Sequence, residues 1–322
     1  MTKEKKFDTK RLLKLAGNII TVIVFVFIIR KLMSFDIDYR VYFSLEKLPW
    51  ILLFVVIGLL SLFLNQLSWK IMLEHISQKK LPFTKSFRIY IKSNLGKYLP
   101  GNVMQYAARN VLGREFGISQ TSIAMSSVLE VISVIVTTLI LSIILGSKYI
   151  FKVLSTFVDN YSTELLVILF LFLIMLGLLI LYLIYKKFPK FFSELKGMMT
   201  IKGIVTLFKS IFIISLSFLL NIIILVYVVG FSTKITVSLL INISIGFIMS
   251  WFVGFISIGS PGGIGVREAV LSMFMAPIIG ESAILSASLF QRFLMILTDV
   301  LAYLLSKISI TESILNYIDR NN

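Results

Sequence analysis

The chain has 322 residues, 57% of them hydrophobic and only 15% charged, with a mean hydropathy of +0.94; this is too apolar for a solvated globular surface and makes lipid the solvent. The 32 Lys and Arg against 16 Asp and Glu sit in short loops beside apolar runs, so the positive excess is a topology signal, and no nucleic-acid partner is expected. Zero cysteines and one histidine exclude disulfides, thiolate chemistry and Cys- or His-based metal clusters, and no cofactor is expected.

In chain order, residues 1–14 form a basic N-terminus that precedes the first apolar run, Leu15 to Ile29. Arg30-Lys31-Leu32-Met33 offers no small-residue cleavage site, so the run reads as a retained anchor. Further runs, each near the length a helix needs to cross about 30 Å of hydrocarbon, are Trp50 to Trp69, Ser119 to Leu145, Glu164 to Tyr185, Ser210 to Gly230, Thr236 to Ile258 and Glu281 to Ser306. The expected fold is all-α: a polytopic helical membrane protein of about eight spans, or seven if the segment after Gly263 is re-entrant. Residues 15–306 make one transmembrane domain and 307–322 a short tail. Basic loops at the N-terminus, at Lys70 to Lys97 and at Lys186 to Lys209 alternate with less basic ones, which places the N-terminus in the cytoplasm.

Two segments, near 94–113 and 259–280, break the helical pattern. The first carries Pro100, Gly101 and Asn102, the second Pro261, Gly262, Gly263 and Gly265; an arginine follows each, Arg109 and Arg267. Paired breaks of this kind read as two related halves whose discontinuous helices mark a transporter's binding site, the alternative being ordinary turns between spans. Glycines at the second break permit close backbone approach, and a half-helix beginning near Ile264 would aim its amides at an anion such as phosphate. Arg267 and Glu268 fall in its first turn, where Glu268 complements the helix dipole or binds Arg292.

Ionisable residues at membrane depth are the remaining signal. Glu130 lies mid-span, where an ionised carboxylate costs roughly 3 kcal/mol on insertion scales. It belongs to a helical stripe, Ser122, Ser126, Glu130, Ser133 and Thr137, expected to face the interior. In the last span Arg292 and Asp299 share a face with Ser288 and Ser306 but stand too far apart for a tight pair, so Arg292 is expected to meet Glu130 or Glu268 from another helix. Asn242, Gly246, Ser250, Gly254 and Ser257 form a small-residue face read as helix packing. Asn94, Asn102 and Gln105 accompany Arg109, and Arg114-Glu115 reads as an interfacial pair.

The string Gly259-Ser260-Pro261-Gly262-Gly263-Ile264-Gly265-Val266-Arg267-Glu268, followed by Gln291-Arg292-Phe293, resembles the membrane domain of lysylphosphatidylglycerol synthases, often called flippase-like. Tyr98-Leu99-Pro100-Gly101, Arg109 and Glu130 are similar to the family's first half, and the resemblance spans roughly Trp50 to Ser306. It implies a multi-pass protein of the bacterial cytoplasmic (inner) membrane that moves a phospholipid between leaflets. The expected cargo is an anionic or aminoacylated phospholipid of the phosphatidylglycerol type, or a polyprenyl-phosphate-linked lipid. Because the sequence ends at Asn322, without the cytosolic synthase domain of the fused enzymes, no lysyl transfer is expected. A separate lipid-modifying or glycan-assembly enzyme and a second copy of the chain are the protein partners it allows.

On this reading a polar cleft shields the head group; Arg109, Arg267 and Arg292 bind phosphate, Glu130 and Glu268 balance charge or accept an ammonium, and Asp299 completes the site. No nucleotide-binding motif is present, so gradients, ion coupling or product removal must drive movement. Two rival functions remain: a membrane glycosyltransferase using Asp36 and Asp38 of the first external loop, and a small-solute or ion transporter with similar broken helices.

Overall fold

A computed structural model describes residues 42–99, 103–114, 117–160, 186, 196–257 and 260–307, with the backbone alone for 147–160. The expected spans Leu15 to Ile29 and Glu164 to Tyr185, the acids Asp36 and Asp38, the break residues Pro100, Gly101 and Asn102, Glu115 and the tail beyond Lys307 lie outside the described residues. Within them the chain is all-α. The helices are α1 (Leu48–Ser77), α2 (Phe83–Asn94), α3 (Met104–Arg114), α4 (Gln120–Asn160), α5 (Ile201–Val229), α6 (Val237–Ile256), α7 (Val266–Ile279) and α8 (Glu281–Leu305). Six stretches among the described residues are long and apolar enough to cross a membrane: Leu45–Ser77, Gln120–Gly146, Ile201–Val229, Val237–Ile256, Pro261–Ile279 and Glu281–Leu305. With the two expected spans that are not described, this agrees with about eight.

Local sequence explains the boundaries. Pro49 opens α1 within its first turn and Gln78, in the left-handed conformation at φ 53°, closes it. Thr200 and Thr236 cap α5 and α6, each hydroxyl accepting a backbone N–H at 3.2 Å. Gly146 leaves helical geometry and interrupts α4. At about 1.5 Å per residue, α2 and α3 are about 18 and 17 Å long, too short to cross about 30 Å of hydrocarbon. They form a hairpin whose inner face buries Ile89, Tyr90, Ser93 and Asn94, with Lys85 and Lys92 exposed on the other side.

Element order is duplicated. A long helix, a second helix, a one-turn 3-10 segment, a short helix and another long helix occur as α1, α2, Leu95–Tyr98, α3, α4 and again as α5, α6, Pro261–Gly263, α7, α8. The duplication reaches side chains. Ser61-Leu-Phe-Leu-Asn65 on α1 faces Ser217-Phe-Leu-Leu-Asn221 on α5, and the two motifs bond reciprocally. The Ser61 and Ser217 hydroxyls meet at 2.7 Å, while Asn65 Nδ2 donates to Ser217 Oγ at 2.8 Å and Asn221 Nδ2 to Ser61 Oγ at 2.7 Å. Seven residues after Ser61 and seven before Ser217, Ser68 and Ser210 meet at 2.6 Å, so the helices run antiparallel, the relation an inverted repeat requires. Four such interhelical bonds, at about 0.6 kcal/mol each in a bilayer, contribute on the order of 2 kcal/mol.

The interior is correspondingly polar and small: Ser68, Ser126, Ser133, Thr137, Ser210, Ser217 and Ser244 are buried, whereas Ile143, Ile144, Phe208 and Phe212 point outward into lipid. All five residues of the α4 stripe, Ser122, Ser126, Glu130, Ser133 and Thr137, are buried as expected. Gly246 and Gly254 of the small-residue face lie against α7, at Leu271 and Arg267.

Because the sequence lacks cysteine, the α1–α5 register can be read by cross-linking. Cysteine pairs at Ser61 with Ser217 and at Ser68 with Ser210 will oxidise to intramolecular disulfides; a pair at Ser61 with Ser210 will not. Mass spectrometry of the proteolysed protein reports which fragments are joined.

Candidate functional site

The two breaks meet. Leu95, Tyr98, Ile264 and Ile296 form one apolar cluster, and a Cβ on Gly262, at φ 60°, would come within 3.2 Å of the Tyr98 ring. Around this junction α1, α2, α3, α4, α5, α6, α7 and α8 enclose a cavity of about 160 Å³. A site for one water needs about 10–15 Å³, so the cavity has room for several waters or a small head group.

Two buried carboxylates, Glu130 and Asp299, line this space, a third, Glu268, stands behind Arg292, and each is already engaged. Glu130 on α4 receives the Tyr90 hydroxyl at 2.9 Å and the Arg109 Nη1 of α3. The Arg109 guanidinium also lies over the Trp69, Tyr90 and Tyr106 rings, at 4.8, 4.3 and 5.6 Å from their centroids. Glu268 on α7 performs both tasks expected of it. Oε2 accepts the Gly265 amide at 2.6 Å, capping the half-helix, and Oε1 accepts Arg292 Nε and Nη2 at 2.9 and 2.7 Å. Arg292 Nη1 donates further to the Gly262 carbonyl at 2.8 Å, tying the second break to α8.

Asp299 does not neutralise Arg292. Its carboxylate belongs to the first break, taking Asn94 Nδ2 at 2.7 Å, the Tyr98 hydroxyl at 2.5 Å and Lys97 Nζ at 2.6 Å. Of the two acids expected for Arg292, Glu268 is the one that meets it.

Arg267 differs from these. Its side chain is packed between Gly254 and Gly263: a Cβ at Gly254 would stand 2.9 Å from Arg267 Nε, and one at Gly263, at φ 72°, 2.7 Å from it. The guanidinium lies 4.8 Å from the Trp251 ring centroid, and Nε is buried without a hydrogen-bond acceptor. Among the described residues no carboxylate pairs with it. Lys97, Arg109, Arg267 and Arg292 thus stand against Glu130, Glu268 and Asp299. Among the described residues, four cations and three carboxylates leave one positive charge beside the cavity without a partner, an expensive arrangement in hydrocarbon unless an anion joins it.

The six charged residues expected to form the head-group site, Arg109, Glu130, Arg267, Glu268, Arg292 and Asp299, are therefore brought to this junction, while Pro100, Gly101 and Asn102 lie outside the described residues. Sequence reasoning missed Lys97, Tyr98, Tyr90, Trp251 and the Ser61, Asn65, Ser217 and Asn221 cluster. The repeated Ser-x-x-x-Asn spacing in two long apolar runs was the available signal for that cluster. Gly254, read as packing, also makes room for Arg267. Among the described residues no group of acids and histidine is arranged to hold a metal.

The pairing has a measurable consequence. Arg292→Met alone will lower stability by about 3–5 kcal/mol, because Glu268 is left buried and unpaired, and the double variant Arg292→Met, Glu268→Leu will recover part of the loss. Thermal unfolding in detergent reads both.

A family model described as Lysylphosphatidylglycerol synthase TM region matches residues 14–302. No curated protein and no solved structure matches the chain.

Proposed function

The chain belongs to the lysylphosphatidylglycerol synthase TM region family, and from that premise we propose that it moves an anionic lipid between leaflets. The phospholipid or polyprenyl-phosphate head group enters the cavity at the junction of the two breaks while its acyl or prenyl chains stay in the bilayer. The observation that carries this reading is the charge count among the described residues, four cations against three carboxylates with Arg267 left over. A phosphodiester supplies the one missing negative charge and acceptors for a planar guanidinium.

The roles of the arginines divide accordingly. Arg267 receives the phosphate; Arg109 and Arg292 hold α3 and the second break in place through Glu130 and Glu268. These fixed charges on the cavity wall favour the entry of water, which lowers the cost of carrying the head group through the midplane. Each carboxylate is neutralised by a cation, which supports a binding role over one as a general base. The glycosyltransferase alternative rests on Asp36 and Asp38, outside the described residues.

The test is lipid movement in proteoliposomes followed with acyl-labelled phosphatidylglycerol and a polyprenyl phosphate. Wild type will equilibrate at least one of them across the bilayer. Arg267→Gln will slow it by at least about tenfold, the loss of one charge-assisted contact worth roughly 1.5–3 kcal/mol, and Asp36→Ala with Asp38→Ala will leave it intact. Failure of wild type to move any anionic lipid, or full activity in Arg267→Gln, overturns the reading.

A further inference from the structure

We propose that the cavity contains a second subsite, built from Ser61, Asn65, Ser217 and Asn221, for an uncharged hydroxyl-bearing alcohol esterified to the phosphate, and that it discriminates against aminoacylated head groups. The inference rests on the phosphate reading of Arg267 and specifies the cargo of that same site.

The orientation of the two asparagines is fixed by the backbone. Asn65 Nδ2 donates to the Ser61 carbonyl at 3.0 Å and Asn221 Nδ2 to the Ser217 carbonyl at 2.8 Å. A carbonyl only accepts, so both amide nitrogens are assigned and the two Oδ1 atoms are the free ends. Neither Oδ1 accepts a hydrogen bond from a described group, although both residues line the cavity. Two carbonyl acceptors beside the cavity, with no described donor to accept from, are suited to hydroxyl donors.

The cluster lies next to the phosphate site. Phe218, one residue after Ser217, packs edge-on against Trp251 with centroids 4.8 Å apart, and Trp251 is the ring under Arg267, also at 4.8 Å. Arg267, Trp251, Phe218 and the asparagine pair therefore follow one another along one wall. Hydroxyl acceptors beside an aromatic face match a polyol, whose hydroxyls seek acceptors while its C–H groups pack on rings.

Among the described residues an ammonium has no such place. Glu130, Glu268 and Asp299 are all occupied by cations of the protein. A lysyl ester of phosphatidylglycerol adds two amino groups to one phosphate; when both are protonated, it brings net positive charge to a cavity that already has one positive charge in excess. Glycerol or a sugar adds none.

Binding and movement test this separately. Short-chain phosphatidylglycerol, phosphatidylethanol and lysylphosphatidylglycerol are titrated into detergent-solubilised wild type with tryptophan fluorescence as the readout, and a polyprenyl phosphosugar against its polyprenyl methyl phosphodiester. Phosphatidylethanol has the same phosphodiester charge as phosphatidylglycerol but no head-group hydroxyl. The hydroxyl-bearing member of at least one pair will bind about tenfold tighter, as one or two hydrogen bonds predict, and the pair showing the preference identifies glycerol or sugar. Phosphatidylglycerol will also bind more tightly than its lysyl form. Asn65→Ala with Asn221→Ala will bring the favoured lipid down to its hydroxyl-free counterpart. Equal binding within both pairs, or lysylphosphatidylglycerol binding as tightly as phosphatidylglycerol, overturns the subsite even if lipid movement is robust. Discrimination in binding without movement in proteoliposomes keeps the subsite and overturns only the translocase reading.

Discussion

An ionised group in hydrocarbon is costly unless it finds a partner or water, and that constraint organises this protein. Three carboxylates and four cations gather where two helices break, and the pairs they form are what keep the breaks in position. Glu268 caps α7 and holds Arg292; Asp299 collects the end of the first break; Glu130 fixes α3 to α4 through Arg109. A fully apolar junction would pack more cheaply, but its backbone turns would be left without partners and the space between them would fill with lipid. The buried charges instead set fixed charge on the wall of an internal cavity, in a protein whose outer surface is hydrocarbon-like.

The second organising feature is duplication. Antiparallel contact between α1 and α5 through matched Ser-x-x-x-Asn motifs sets the two halves about a local two-fold relation, and it brings their breaks face to face. Neither half builds the cavity alone. The first supplies Lys97, Arg109 and Glu130, the second Arg267, Arg292 and Asp299, and the cavity lies between them. The halves are similar in element order but differ in chemistry: the first has its acid on the long closing helix and its arginine on the short one, whereas the second has an arginine on both.

Much of this was legible because hydrophobicity and helical period are local properties. The spans stood out as apolar runs, and the α4 stripe as polar residues at 3.6-residue spacing, and all five of its side chains are buried. The breaks were marked by Pro and Gly. What could not be read was pairing across distance. Nothing in the neighbourhood of Asp299 announces that Asn94, Lys97 and Tyr98, about 200 positions earlier, complete its shell. Nor does the sequence say that, of three similar arginines, two are engaged by acids and one lies over Trp251; that depends on which helices adjoin. Gly254 carried an ambiguous signal, since a small residue on a helix face admits either a neighbouring helix or, as here, the stem of an arginine.

Helix α8 bears both Arg292 and Asp299, about 10 Å apart along its axis, and each grips a different break. The two breaks consequently have fewer independent degrees of freedom than their separate loops imply. Displacing either one while α8 stays still means parting a buried, hydrogen-bonded ion pair; shifting α8 carries both together. Contacts from one helix thus tie both breaks to a common element. The breaks also touch each other through Tyr98 and Gly262, which closes the mechanical loop.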